Sequence, residues 1–149
     1  MSDTELTLKS KDGLTLIGRQ WTPAAAPRGV VGLLHGLGEH IGRYLHVGAA
    51  LNQAGYAMLG YDLRGHGRSE GRRGFTPSYD VFLDDIDLLV AEAHARFPGK
   101  PLFLYGHSLG GNLVLFYGLR RKPQLAGVVA SAPQLRLAFK PPAWKTTMG

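Results

Sequence analysis

Gly106-His107-Ser108-Leu109-Gly110 is the stretch whose reading decides the fold. It lies between a short apolar run, Pro101 to Tyr105, and a segment from Gly110 to Lys122 that reads as a helix stopped by Pro123. A serine at a strand-to-helix turn, with glycine two residues to either side, is the pattern of a nucleophile elbow. The glycines have a steric reason. In a turn tight enough to thrust the serine hydroxyl above a sheet, side chains at those positions would collide with neighbouring backbone. The same turn aims the backbone N–H of Leu109 at an oxyanion developing on a substrate. The alternative is a glycine-rich turn without chemistry, but the flanking strand and helix and the extra room at Gly111 favour the nucleophile. A phosphate-binding P-loop is excluded, because Asn112-Leu113 stands where Lys-Ser/Thr is required.

Outward from the elbow, the chain alternates strands and helices. Gly29-Val30-Val31-Gly32-Leu33-Leu34 has no polar alternation, which suits a strand buried on both faces of a parallel sheet. A helix follows from about Arg43 to Ala54, with Gly55 as its stop, and then a strand from Tyr56 to Tyr61. Ser78 is a good N-cap for the next helix, with Asp80, Asp84 and Asp85 in the first turns, where the helix dipole favours them. Phe82, Ile86, Leu89, Ala93 and Phe97 share one face of that helix, which Pro98-Gly99 ends. At the N-terminus, Glu5 to Lys9 and Leu14 to Trp21 read as a hairpin about Asp12-Gly13. After the elbow helix, Leu125 to Ala130 is a last apolar strand. A hairpin, three strand–helix pairs and a final strand argue an α/β fold with a mostly parallel sheet.

Composition narrows the classes. With 44% apolar residues in 149, the chain is globular and long enough for one domain. It has no cysteine, which excludes disulfide scaffolds, thiolate metal sites and cysteine nucleophiles and fits a cytoplasmic location. Met1 to Glu5 is acidic and carries no apolar signal segment, and no apolar run approaches the roughly 20 residues of a membrane span. The net charge of +6 raises the question of a nucleic-acid partner. The basic residues are scattered, however. The tightest groups are Arg64/Arg68/Arg72/Arg73 and Arg120/Arg121/Lys122, the second at an expected helix end, and neither is interleaved with aromatic residues. No nucleic-acid partner is expected.

His35-Gly36-Leu37-Gly38-Glu39-His40 closes the first buried strand. An oxyanion hole needs a second donor, and the loop after this strand is its expected source, with the Leu37 N–H as candidate. The glycines here compete with another reading. Gly36, Gly38 and Gly42 open a helix after a strand, and Asp62 ends the next strand, close to a dinucleotide-binding fingerprint. The third glycine is one residue late, and Glu39 would place a carboxylate beside a pyrophosphate. The dinucleotide reading also leaves the elbow at Ser108 without a purpose.

Three blocks now stand together: His35 to Tyr44, then Tyr61-Asp62-Leu63-Arg64-Gly65-His66-Gly67-Arg68-Ser69-Glu70-Gly71, then Gly106 to Gly111. In these the sequence resembles the monoacylglycerol lipase branch of the α/β-hydrolases, the lysophospholipase-like or serine aminopeptidase S33-like group. The resemblance implies an α/β-hydrolase fold with Ser108 as nucleophile and with Leu37 and Leu109 as the oxyanion hole. It implies a small acyl ester such as monoacylglycerol or a lysophospholipid as substrate, no cofactor or metal, and peripheral contact with lipid. Glu39 and Arg43 match positions at the polar, glycerol-side end of the site; the competing reading makes them an i,i+4 ion pair where the helix begins. The Asp62 to Ser69 loop is expected to be structural, with tight turns and buried hydrogen bonds.

In this fold the triad runs serine, acid, histidine along the chain. From Leu109 to Gly149 there is no Asp, Glu or His. Residues 1–133 are therefore expected to be the N-terminal part of the core, truncated before the cap and last strands, and 134–149 the start of a cap or linker. None of the six histidines takes the place of the base: His107 should point away from Ser108, His35 and His40 lie in the oxyanion loop, His66 lies in the turn-rich loop, and His46 and His94 read as helix surface. The chain alone is expected to be inactive, since a serine hydroxyl without a base stays protonated. Its last strand is expected to be an apolar edge that promotes self-association. Two alternatives remain: a non-catalytic hydrolase-derived module, and an acyltransferase or perhydrolase on the same elbow.

Overall fold

The alternation at the N-terminus folds as a hairpin. In the computed structural model, which describes residues 1–135, β1 (Ser2–Lys9) pairs antiparallel with β2 (Thr15–Thr22). Ser10 closes the turn through two hydrogen bonds with Leu14, its N–H donating to the Leu14 carbonyl and its hydroxyl oxygen accepting from the Leu14 N–H, and Gly13 takes the positive φ of +88° that the turn requires. The apolar runs then build a parallel sheet from β3 (Gly29–Leu34), β4 (Tyr56–Tyr61), β5 (Leu102–His107) and β6 (Gly127–Ser131). The hairpin joins it through β2 and β4, giving the order β1-β2-β4-β3-β5-β6.

Among the described residues, three α-helices cover the sheet: α1 (Leu45–Gln53), α2 (Tyr79–Arg96) and α3 (Leu109–Arg121). Alternate residues of β3 explain the layers. Val30 and Leu34 enter the core made with Phe82, Ile86 and Leu89 of α2 and Leu113 and Val114 of α3. Val31 and Leu33 face the other way, into a smaller core with Trp21, Ile41, Tyr44 and Met58, on which Val47 and Leu51 of α1 pack. So α1, which follows β3, and α3, which follows β5, lie on opposite faces, and the loops leaving these two adjacent strands diverge. Such a point of divergence is where open α/β sheets place ligands.

Some expected boundaries shift for physical reasons. The first helix begins at Leu45 rather than Arg43, after a 3₁₀ turn over Ile41–Tyr44. The N–H of Ile41 is committed to the Asp62 carboxylate, which fixes the approach of the chain. Ser78 does cap α2, but Asp85 does not serve the helix dipole: it is 1% exposed and holds Arg64 by two hydrogen bonds. The last strand begins at Gly127 and lies at the edge of the sheet, where Val128 and Val129 are exposed. Among the described residues no helix is long and apolar enough to cross a membrane. The expected cap or linker over 134–149 lies, from residue 136 onward, outside the described residues.

Candidate active site

Ser108 sits between β5 and α3 in the conformation that the sequence motif demands. Its φ of 54° and ψ of −113° are positive-φ values that a residue with a side chain adopts only under constraint. The constraint comes from the glycines. A Cβ on Gly106 would fall inside the Gly110 carbonyl, and one on Gly110 would fall inside the Leu34 carbonyl of β3. Both obstacles are backbone, so no side-chain movement relieves them. The Ser108 N–H donates to the Ser131 carbonyl at 2.9 Å, and its own carbonyl accepts from Asn112 at 3.0 Å and from Gln134 at 3.2 Å. The elbow is thus tied to β6 and to the first turn of α3.

The loop after β3 reaches the same place. The ideal Cβ position of Gly36 lies 3.2 Å from the Ser108 Cβ, so glycine there allows the two segments to meet. Gly36 to Glu39 forms a turn in which the Glu39 N–H donates to the Gly36 carbonyl at 3.2 Å, and Gly38 supplies the positive φ of +74°. Among the described residues, neither the Leu37 N–H nor the Leu109 N–H finds a protein acceptor. Leu109 follows Ser108 directly and Leu37 follows Gly36, the residue that meets Ser108, so both candidate donors belong to the two segments that come together here.

Side chains, rather than sterics, hold this loop. The Glu39 Oε2 accepts from the Gly36 N–H at 2.8 Å and from the Tyr44 hydroxyl at 2.7 Å, while its Oε1 lies 3.4 Å from Arg43. Burial alone would raise the Glu39 carboxyl. The donors Tyr44 and Gly36, with Arg43 beside them, hold it below the ordinary carboxylate value. The expected pairing of Glu39 with Arg43 is present, but one carboxylate oxygen is committed to the loop itself.

The turn-rich segment after β4 braces the loop from behind. Asp62 Oδ1 accepts from the Ile41 N–H at 2.6 Å, and Oδ2 accepts from the Arg68 N–H at 2.8 Å. With both oxygens spent and only 3% exposure, Asp62 is not placed to bind a ribose, which removes the main support for the dinucleotide reading. His35 is fully buried, accepting from the Leu63 N–H at Nε2 (2.9 Å) and touching the Gly36 carbonyl with Nδ1 (2.8 Å). Burial pushes its pKa down to about 4. The arginines of this segment are engaged as well. Arg64 lies between Asp85 and Asp12, Arg68 meets Glu5, Arg72 stacks on Phe75, and Arg73 donates to the Gly67 and Ser69 carbonyls.

The other histidines lie as the sequence suggests. His107 turns towards the Ser131 hydroxyl, 3.3 Å from its Nδ1, and His46 and His94 are exposed on helices. Among the described residues, no histidine is hydrogen-bonded to the Ser108 hydroxyl. Sequence reasoning missed two supports. Tyr44 as the partner of Glu39 has no sequence signal beyond proximity. Asp85 has one: it falls on the helical face that carries Phe82, Ile86 and Leu89, so a buried partner was required.

Comparison with known proteins identifies the family and the fold. The sequence model of the family described as Serine aminopeptidase, S33 matches residues 25–149. The chain is 40% identical to a monoacylglycerol lipase of Mycolicibacterium smegmatis, over 81% of this chain and 43% of that protein. It is 35% identical to the human monoglyceride lipase, over 85% of this chain and 42% of that protein. Its fold overlays the crystal structure of a soluble variant of monoglyceride lipase from Saccharomyces cerevisiae, in complex with a substrate analog, with a TM-score of 0.78 and 30% identity; the overlay covers 89% of this chain and 46% of that one. The chain therefore spans less than half the length of these relatives.

Proposed function

The chain belongs to the serine aminopeptidase S33 family of α/β-hydrolases, and on that premise we propose that it carries the nucleophile and oxyanion hole of a serine carboxylester hydrolase acting on monoacylglycerol or lysophospholipid-like esters. The observation that carries the reading is Ser108 at positive φ, with Gly36 of the loop after β3 against it and with no protein acceptor, among the described residues, for the Leu37 and Leu109 N–H groups. In this reaction the Ser108 Oγ attacks the acyl carbonyl, and the carbonyl oxygen becomes an oxyanion held by the Leu37 and Leu109 N–H groups. Collapse expels the alcohol and leaves an acyl-enzyme, which water cleaves to release the fatty acid. A base must take the serine proton, and the six histidines of this chain do not supply it. On this reading the 149 residues alone are inactive or nearly so. Glu39 steadies the oxyanion loop, and Arg43, 61% exposed at its side chain, is the member of the pair free to meet a polar head group.

The test is hydrolysis of a short-chain nitrophenyl ester by the 149-residue chain beside its Ser108→Ala variant, each with and without added imidazole as an external base. Wild-type turnover that appears only with imidazole, and is lost in the variant, is the expected result. Equal behaviour of the two proteins under all conditions overturns Ser108 as nucleophile. Activity without imidazole overturns the absence of a base.

A second reading has its own observation. Val128 and Val129 are 38% and 51% exposed on β6, and among the described residues no strand pairs with its outer edge. An uncharged apolar edge of this kind recruits another strand, which supports self-association of the 149-residue chain. Light scattering at micromolar concentration checks it: a clean monomer would count against the edge as an interface.

A further inference from the structure

We infer that His35 is a positioning residue for the oxyanion hole: by holding the Gly36 carbonyl, its ring sets the direction of the Leu37 N–H. The inference rests on the reading of Leu37 as an oxyanion donor given above. The Gly36 carbonyl and the Leu37 N–H belong to one peptide group. That group is planar and trans, so its C=O and N–H point in opposite directions. Whatever fixes the carbonyl fixes the N–H.

The ring is forced to hold the carbonyl by its other nitrogen. The Leu63 N–H donates to Nε2 at 2.9 Å, so Nε2 carries no hydrogen. In the neutral ring the proton then sits on Nδ1, which is 2.8 Å from the Gly36 carbonyl oxygen and donates to it. Leu63 thereby selects the tautomer, and the tautomer aims the peptide. Glycine at position 36 makes the device necessary, since without a side chain its flanking torsions are nearly free to let the peptide flip. Among the described residues, the other hydrogen bonds on this residue are the longer one from the Glu39 N–H, at 3.2 Å on the same carbonyl, and that from the Gly36 N–H to the Glu39 carboxylate.

The surroundings keep the ring neutral. It is fully buried, with His66 packed edge-on at 5.4 Å between ring centroids and with Asp62 and Glu39 as the nearby carboxylates. Burial outweighs those carboxylates and pushes the pKa down to about 4, so at neutral pH the donor and acceptor roles do not change. Asp62, next to Leu63, also takes the Ile41 N–H, so residues 62 and 63 fix the loop at both its ends.

Two measurements on the 149-residue chain test this. The first needs no variant. A long-range proton–nitrogen correlation spectrum of the ¹⁵N-labelled protein at pH 7 reads the His35 tautomer directly. A proton on Nδ1, with the ring neutral until close to pH 4, is expected. A proton on Nε2, or a cationic ring at pH 7, overturns the inference. The second compares phosphonylation of Ser108 by a fluorophosphonate, in which Oγ displaces fluoride from phosphorus and added imidazole takes the proton. His35→Asn keeps a donor near the Nδ1 position and loses the Nε2 acceptor; His35→Gln does the reverse. We expect His35→Gln to label roughly tenfold more slowly or worse and His35→Asn to stay within about threefold of wild type, against the larger loss when a whole oxyanion donor is removed. Equal slowing in both, or the reverse order, makes His35 a packing residue only and overturns the inference. If wild type itself takes no label while the tautomer is as expected, it is the reading of Ser108 and its hole that falls, and the role of His35 falls with it.

Discussion

The elbow around Ser108 and the loop around Leu37 meet at one point, yet they are held by opposite means. The elbow is held by what is missing: no side chain fits at Gly106 or Gly110, because backbone occupies the space. The loop is held by what is present, the buried His35 and Asp62 and the half-buried Glu39, each satisfying particular N–H and C=O groups. A steric constraint is all or nothing and insensitive to solvent. A polar brace is graded, and it answers to pH and to the loss of single hydrogen bonds. Nucleophile and oxyanion donors should therefore fail differently when perturbed.

The largest effect belongs to the elbow. Gly110→Ala puts a methyl group into the Leu34 carbonyl, with no flexible neighbour to yield. We expect a loss of about 4 kcal/mol or more, enough to remove the folded protein from a urea titration. A variant that unfolds near the wild-type midpoint would show that the turn can open, and the contrast between the two regions would collapse.

The brace should give a smaller and divisible loss. Asp62→Ala strands the N–H groups of Ile41 and Arg68, at about 3 kcal/mol for the two. Asp62→Asn retains one acceptor and should lose about half as much. If the two substitutions cost the same, the carboxylate is not acting through its two separate oxygens.

Acid should separate the regions further. The His35 pKa lies at about 4 in the folded protein, below the ordinary value of 6.5, so folding favours the neutral ring. Its contribution is complete above pH 6.5 and is lost as pH falls from 6.5 towards 4. Glu39 and other carboxylates held low also lose stability on acidification, so the useful quantity is a difference between proteins. Between pH 7 and pH 4.5, wild type should lose about 2–3 kcal/mol more than His35→Asn in denaturant unfolding. Parallel pH profiles would mean that the ring is not buried neutral.

The same contrast governs how much could be read from the sequence. The elbow was legible because sterics act on neighbours along the chain: Gly106, Ser108 and Gly110 carry their own explanation. So were the buried strands, with β3 and β4 at the expected residues, because continuous apolar runs report burial directly. The brace was only partly legible. His35 was expected in the oxyanion loop and Asp62 among buried hydrogen bonds, but their partners, Leu63 and Ile41, are backbone groups brought near by the sheet order. The start of α1 moved for the same reason. Long-range polar pairing leaves no periodicity, and Asp85 was traceable only because it interrupts an apolar helix face.

The smallest expected effect decides the remaining question at this site. Arg43 and Glu39 form an i,i+4 pair at 3.4 Å, and the arginine side chain is 61% exposed. Exposed pairs of this kind contribute little, because water screens them and the long side chain loses freedom. The Gly36 and Tyr44 hydrogen bonds go to the other carboxylate oxygen, so removing the arginine leaves the loop held. Arg43→Ala should therefore change unfolding free energy by no more than about 0.5 kcal/mol. That near-silence in stability makes the variant informative. If Ser108 labelling by a glycerol-bearing phosphonate slows in Arg43→Ala while labelling by a plain alkyl fluorophosphonate does not, the arginine recognises the head group. If both rates stand unchanged, the pair belongs to the brace alone. If stability falls by 2 kcal/mol or more, Arg43 is part of the polar scaffold after all, and the line between the brace and the substrate-facing surface must be drawn one residue further out.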